Sequence, residues 1–202
     1  MSLFAKLQQR QAEARPIRVG LIGAGKFGSM YLAQIPRTPG VHLAGIADLS
    51  PDGVRTNLSR VGWQAQRMQA SSLDAAIKSG DTHIGEDWLA LVSHPAIDVI
   101  VECTGHPIAA VDHCLEAFTH GKHVVNVTVE ADAFCGALLG SRALAAGVVY
   151  SLAFGDQPAL ICDLVDWART CGFPVVAAGR GHKWLPHFSE STPETVWHHY
   201  GL

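Results

Sequence analysis

The chain has 202 residues, of which 48% are apolar and 16% charged, with a formal net charge of -3. That is enough apolar chain to bury a core, which excludes a disordered tail, and the charge balance gives no basic patch suited to nucleic acid. No run approaches the length of a membrane-spanning helix, and the first ten residues are too weakly apolar for a signal peptide, so a cytoplasmic protein without a membrane partner is expected.

In chain order, residues 1–15 read as an amphipathic helical arm with Leu3, Phe4 and Leu7 on one side. An apolar strand, Ile17–Ile22, then runs into G-x-G-x-x-G at Gly23, Gly25 and Gly28, with Lys26 and Phe27 inside the motif. A helix follows over 27–35, and a second strand, Val41–Ala47, ends at Asp48. Each part has a task in holding a dinucleotide. Gly23 permits the tight turn, Gly25 lets the backbone approach the pyrophosphate, and Gly28 lets helix pack close to strand. The free N–H groups of the helix N-terminus take the phosphates. A carboxylate at Asp48 accepts from an adenosine ribose and repels a 2′-phosphate, favouring NAD over NADP, although Arg55 lies near enough in sequence to receive that phosphate. The bland alternative for Asp48 is a surface aspartate in a turn.

Helices are expected over 51–61, 72–78, 86–93, Pro107–Thr119, 133–146 and 158–171, and further strands over 99–103, 123–127, 148–153 and 175–178. Residues 62–84 read as an insertion at the sheet edge between the second and third strands. The remainder, 179–202, carries aromatic residues without a clear pattern. Val/Ile-rich strands alternating with helices predict an α/β fold, a doubly wound, mostly parallel sheet covered on both faces.

Ligands bind outside the carboxyl ends of such strands. Thr104 and Gly105 therefore fall where the nicotinamide half of a cofactor would lie. His106 is either a polar contact there or the residue that opens the helix begun by Pro107. At the next strand exit, Asn126, Glu130 and Asp132 are candidates. Glu130 and Asp132 suit general acid–base work or hard-metal ligation, with Asp132 favoured as a helix cap and Glu130 as facing the site. Asp156 is a cap or a substrate contact. Arg180, His182 and Lys183 form either a solvated basic loop or a meeting point for an anionic substrate. Lys122 and His123, at the far end of their strand, are expected at the surface. Cys103, Cys114, Cys135, Cys162 and Cys171 form no C-x-x-C pair and read as reduced, buried thiols. No ligand spacing calls for a metal.

The blocks 23–28, 98–105, 121–125, 129–132, 155–158 and 179–183 together resemble the homoserine dehydrogenase-like oxidoreductases. They are most similar to the subgroup with a C-terminal SAF domain, which includes the 1-deoxy-D-xylulose 5-phosphate reductoisomerase-like enzymes. The resemblance covers nearly the whole chain. It implies a Rossmann domain, NAD or NADP, and hydride transfer to or from a small carbonyl or alcohol substrate, with or without a phosphate. Relatives place a lysine near the exit of the strand after Gly-Lys-His. Here that stretch is Val129-Glu130-Ala131-Asp132, so a lysine-based proton transfer does not carry over. The expected organisation is a helical arm over 1–15, a dinucleotide-binding domain over 16–156, and over 157–202 the last helix and strand with the start of a substrate and dimerisation region. Such a chain reads as a truncated enzyme, with Glu130, Asp156 and Lys183 as catalytic candidates, a small anionic substrate, and room for a homodimer. The alternative is a dinucleotide-binding module or regulatory subunit that catalyses nothing.

Overall fold

A computed structural model describes residues 2–154, 157–179 and 184–200. Backbone contacts divide it into Met1–Asp156 and Gln157–Leu202. The first unit is built on six strands, β1 (Ile17–Ile22), β2 (Val41–Ala47), β3 (His83–Gly85), β4 (Val99–Glu102), β5 (His123–Asn126) and β6 (Tyr150–Leu152). They pair in the order β3-β2-β1-β4-β5-β6, and every pairing is parallel. Chain direction therefore reverses its progress across the sheet between β1 and β4, which opens a crevice at their carboxyl ends, as in Rossmann domains.

The helices of this unit are α1 (Leu3–Ala12), α2 (Lys26–Gln34), α3 (Pro51–Arg60), α4 (Leu73–Ser79), α5 (Trp88–Ser93), α6 (Pro107–Thr119) and α7 (Val129–Ala145). Alternate strand residues feed two cores. One joins Val19, Leu21 and Leu43 to Leu32 of α2 and Val54 and Leu58 of α3. The other joins Ile22, Ala44 and Ile100 to Leu91 of α5, Cys114 and Phe118 of α6, and Leu139 of α7. Burial on both faces explains why the strands carry Val and Ile without polar alternation. Helix α5 comes close because β1 and β2 offer Gly20 and Gly45, where an added Cβ would lie 2.9 and 2.6 Å from Leu91.

Several expectations need correction. The region 62–84, expected as an edge insertion with a helix over 72–78, does hold that helix but also reaches into an unexpected strand. It contains a 3-10 turn, Ala65–Met68, then α4 and β3. The strand beginning at Val99 is thus the fourth, not the third. Residues 175–178 form no strand. In the N-terminal arm, α1 forms with Ser2 as its cap, yet Leu3 and Phe4 are exposed. The second unit, taken by itself, holds α8 (Gln157–Thr170), a 3-10 turn at Pro186–Glu190, and a short α9 (Val196–Tyr200) in which His199 meets the Ser191 hydroxyl at 2.7 Å. Among the cysteines, Cys103 and Cys114 are buried, but Cys162 and Cys171 are exposed. Burial pushes the Cys103 and Cys114 thiols up to about 12, which leaves them unreactive near neutrality.

Lys122 is not at the surface either, although His123 is. It is 5% exposed, and its ammonium donates to the carbonyls of His94 and Ile97, each at 2.8 Å. Burial lowers its pKa from the ordinary 10.5, against a smaller opposing pull from Asp98. Below 10.5 the unfolded state then holds this proton more tightly than the fold does, so this group makes stability rise as pH climbs towards 10.5. Lys122→Met should remove that slope. It should also cost about 1–3 kcal/mol at neutral pH, read from urea unfolding, because two inward carbonyls lose their donor. An unchanged midpoint would contradict this role.

Candidate functional site

The carboxyl ends of β1, β2 and β4 converge on the glycine turn. Gly23 has φ +86°, and a Cβ there would sit 2.8 Å from the backbone of Cys103 and Thr104. The β1 turn and the β4–α6 turn therefore touch main chain to main chain, and only glycine fits. At Gly28 a Cβ would meet the Gly23 carbonyl oxygen at 3.0 Å, which accounts for the third glycine by packing. Gly25 differs. It is exposed, nothing lies within 4 Å of its would-be Cβ, and as N-cap of α2 it supplies no side-chain cap. A nine-residue helix thus presents its first N–H groups, with exposed Lys26 and Phe27, to open space over the crevice. That is the arrangement a pyrophosphate needs.

Asp48 lies beside this turn. One carboxylate oxygen accepts from the Ala24 N–H at 2.8 Å and the other from the Ser50 N–H at 2.8 Å. The acid therefore braces the glycine turn, while each oxygen keeps a second lone pair for a hydroxyl. Arg55 does not stand free next to it. Its guanidinium donates to the carbonyls of Met68 (2.8 Å) and Ile84 (3.4 Å), tying α3 to β3 and the turn before it.

The β4–α6 and β5–α7 turns form the other side. Thr104, Gly105 and His106 are exposed. His106 opens α6 as its N-cap, its Nδ1 accepting from the Ala109 N–H at 3.2 Å, so the proton resides on Nε2. Beneath them sits Glu102, fully buried at 0% exposure. Its Oε1 accepts from the Thr104 hydroxyl at 2.5 Å and faces His113 Nδ1 at 3.3 Å, while its Oε2 accepts from the Thr128 hydroxyl. Thr128 in turn accepts from the Gly105 N–H at 3.0 Å. The polar chain continues through Asn126, whose side chain accepts from the Thr128 N–H and donates to the Tyr150 hydroxyl, which itself donates to Asp132. One buried carboxylate thus fastens the exposed β4–α6 turn and the buried Thr128, N-cap of α7, to the sheet. His113 completes the cluster against Trp88, with ring centroids 4.6 Å apart.

Asp132 is not a helix cap. The turn closed by Asn126 and Thr128 starts α7 at Val129, earlier than the expected residue 133, so Asp132 falls inside its first turn and spends its carboxylate on Tyr150. The helix breaks at Cys135 (φ -147°, ψ 27°), so the pattern over 133–146 reported mainly its second half. Glu130 is exposed in the first turn of α7. Asp156, Arg180, His182 and Lys183 lie outside the described residues. The sequence reading missed Glu102, His113 and Tyr150. An acid inside an apolar strand, with a threonine two residues on, was the available signal.

Residues 23–146 match the family described as homoserine dehydrogenase, NAD binding domain, and residues 155–200 match that described as oxidoreductase DRL, catalytic domain. A homoserine dehydrogenase of Methylobacillus glycogenes is 29% identical over 113 residues, covering 55% of this chain and 24% of that protein. Among solved structures, a homoserine dehydrogenase from Thiobacillus denitrificans aligns over 77% of this chain and 34% of its own, with TM-score 0.58 and 22% identity. An NAD binding oxidoreductase from Klebsiella pneumoniae aligns over 78% of this chain and 39% of its own, with TM-score 0.55 and 20% identity. The chain spans about a quarter of the curated relative's length. Among the described residues, no helix is long and apolar enough to cross a membrane.

Proposed function

Because the chain belongs to the homoserine dehydrogenase NAD-binding domain family, we propose that it is the cofactor-holding part of an NAD(P)-dependent oxidoreductase, with NAD preferred. The observation that carries this reading is the uncapped start of α2 at Gly25, open to solvent and flanked by the Asp48 carboxylate. In it, the N–H groups from Gly25 to Gly28 take the pyrophosphate, Asp48 takes the adenosine ribose hydroxyls, and Lys26 and Phe27 border the phosphates. The preference for NAD rests on Asp48, which would repel a 2′-phosphate, and on Arg55, whose guanidinium is held by the carbonyls of Met68 and Ile84.

When bound, the nicotinamide supplies or accepts the hydride. Thr104, Gly105 and His106 flank that half of the cofactor, the Nε2–H of His106 being available as a donor. Glu130 serves as the proton-transferring group at that edge, and the sequence keeps Asp156 and Lys183 as catalytic candidates, the lysine suited to a small, anionic carbonyl or alcohol substrate. The substrate's class follows from the family resemblance, and a homodimer fits the same picture.

Asp48→Ser tests the assignment. The variant should bind NADH about tenfold more weakly, as expected for losing a charge-assisted hydrogen bond, while NADPH binding holds or improves. Titration of nicotinamide fluorescence reads both. Equal weakening for the two dinucleotides would show that Asp48 only braces the turn, and no weakening would remove it from the site.

A further inference from the structure

A cavity lies at the amino-terminal edge of the sheet, opposite the glycine turn. Its volume is about 490 Å³, and it is bounded by the starts of β1 and β2, the end of α4 and the turns after α2 and α3. That size falls in the range of small-molecule pockets. Its wall carries Arg18, Arg67, Lys78 and His42 and not one carboxylate.

None of the three permanent cations has an ion-pair partner among the described residues. Arg67 lies over the indole of Trp63 at 5.3 Å, which occupies the face of its guanidinium and leaves the N–H edges open. His42 donates from Nε2 to the Asp81 carbonyl at 2.7 Å, which fixes its ring. A cation near a helix C-terminus has an ordinary explanation in the helix dipole, and that explanation serves Lys78 in the last turn of α4. It does not serve Arg18, which stands on β1 with its Nε buried and without any hydrogen-bond partner. Asp98 is the nearby acid, but it accepts from the Arg18 main-chain N–H at 2.8 Å and is not part of the wall. Guanidinium groups are shaped to receive oxyanions, and Arg18 lines this cavity together with Arg67 and Lys78.

We propose that this cavity is a second ligand site, taking a small organic molecule through a phosphate or carboxylate group held by Arg18, Arg67 and Lys78. The site is separate from the glycine turn, which lies at the other end of the same strand, β1.

The test uses the ¹⁵N-labelled chain, with inorganic phosphate and, separately, acetate titrated at constant ionic strength. The readouts are the Arg18 Nε–H and the Trp63 indole N–H resonances. A saturable shift of both supports the site. If phosphate alone produces it, the ligand group is a phosphate, and if acetate does so as well, it is a general oxyanion. Arg67→Ser and Lys78→Ser, both away from the cofactor crevice, should each weaken that binding about tenfold, the size expected for losing one charge-assisted contact. Three results would overturn the proposal: a linear shift that never saturates, saturable binding unaffected by both substitutions, or shifts confined to the amides of residues 23–28.

Discussion

Glu102→Ala should destabilise the protein by about 3–5 kcal/mol, the range seen when one partner is removed from a buried charged cluster. The carboxylate is wholly buried, and it is the shared acceptor for the Thr104 and Thr128 hydroxyls, with His113 Nδ1 at 3.3 Å. Truncation strands the buried Thr128 hydroxyl in a dry interior, frees the Thr104 hydroxyl from its anchor, and leaves a cavity where the side chain was. Glu102→Gln should cost markedly less, because its amide oxygen still accepts and its NH₂ can donate to the second lone pair of a threonine hydroxyl. Urea unfolding of the two variants reads the difference. Losses that are equal and below about 1 kcal/mol would show that the cluster holds nothing together. The same variants bear on the site, since Glu102 reaches the exposed Thr104 directly and the Gly105 N–H through Thr128. If these turns flank the nicotinamide as proposed, loosening them should weaken NADH more than AMP, which ends at the adenosine side.

The glycine turn gives the second large effect, and two of its residues should fail in different ways. Gly23→Ala places a Cβ 2.8 Å from the Thr104 nitrogen and Cα at a φ of +86°, so strain and main-chain overlap act together. A loss of about 2–4 kcal/mol is expected from combining a left-handed alanine with overpacking. Gly25→Ala meets nothing within 4 Å at a φ of -68°, which alanine adopts freely. Its stability should stay within about 0.5 kcal/mol of the parent. Even so, NADH affinity should fall, because the new methyl stands where the pyrophosphate must approach. A stable Gly23→Ala, or a Gly25→Ala with unchanged NADH affinity, would contradict the division of labour between turn and cradle.

The parts of the fold legible in the sequence were those with long, one-sided patterns. The bounds of β1, β2 and α6 follow from apolar runs and from Pro107 at a helix start. The short edge strand β3 escaped because His83-Ile84-Gly85 carries one apolar residue, and its pairing with β2, not its composition, makes it a strand. Residues 175–178 misled in the opposite sense: an apolar run without a ladder partner is no strand. In the candidate site the roles of Gly25 and Asp48 towards a dinucleotide belong to the proposal, whereas Gly23 and Gly28 could be read from spacing, since each meets a backbone requirement. Glu102 and Lys122 could not, because their burial depends on partners distant in sequence, Thr128 and His113 for the one, and the carbonyls of His94 and Ile97 for the other. Asp132 read as a cap because its neighbourhood looks like one, and the tertiary bond from Tyr150 was invisible.

The most direct test of the central claim is a residue-resolved map of NADH binding by amide chemical shift on the ¹⁵N-labelled chain. The account predicts saturable shifts concentrated at Ala24 to Gly28, at Ser50 beside Asp48, and at Thr104 and Gly105. No saturable shift, or shifts centred on the amino-terminal edge around Arg18 and His42, would contradict a dinucleotide site at the carboxyl edge of this sheet.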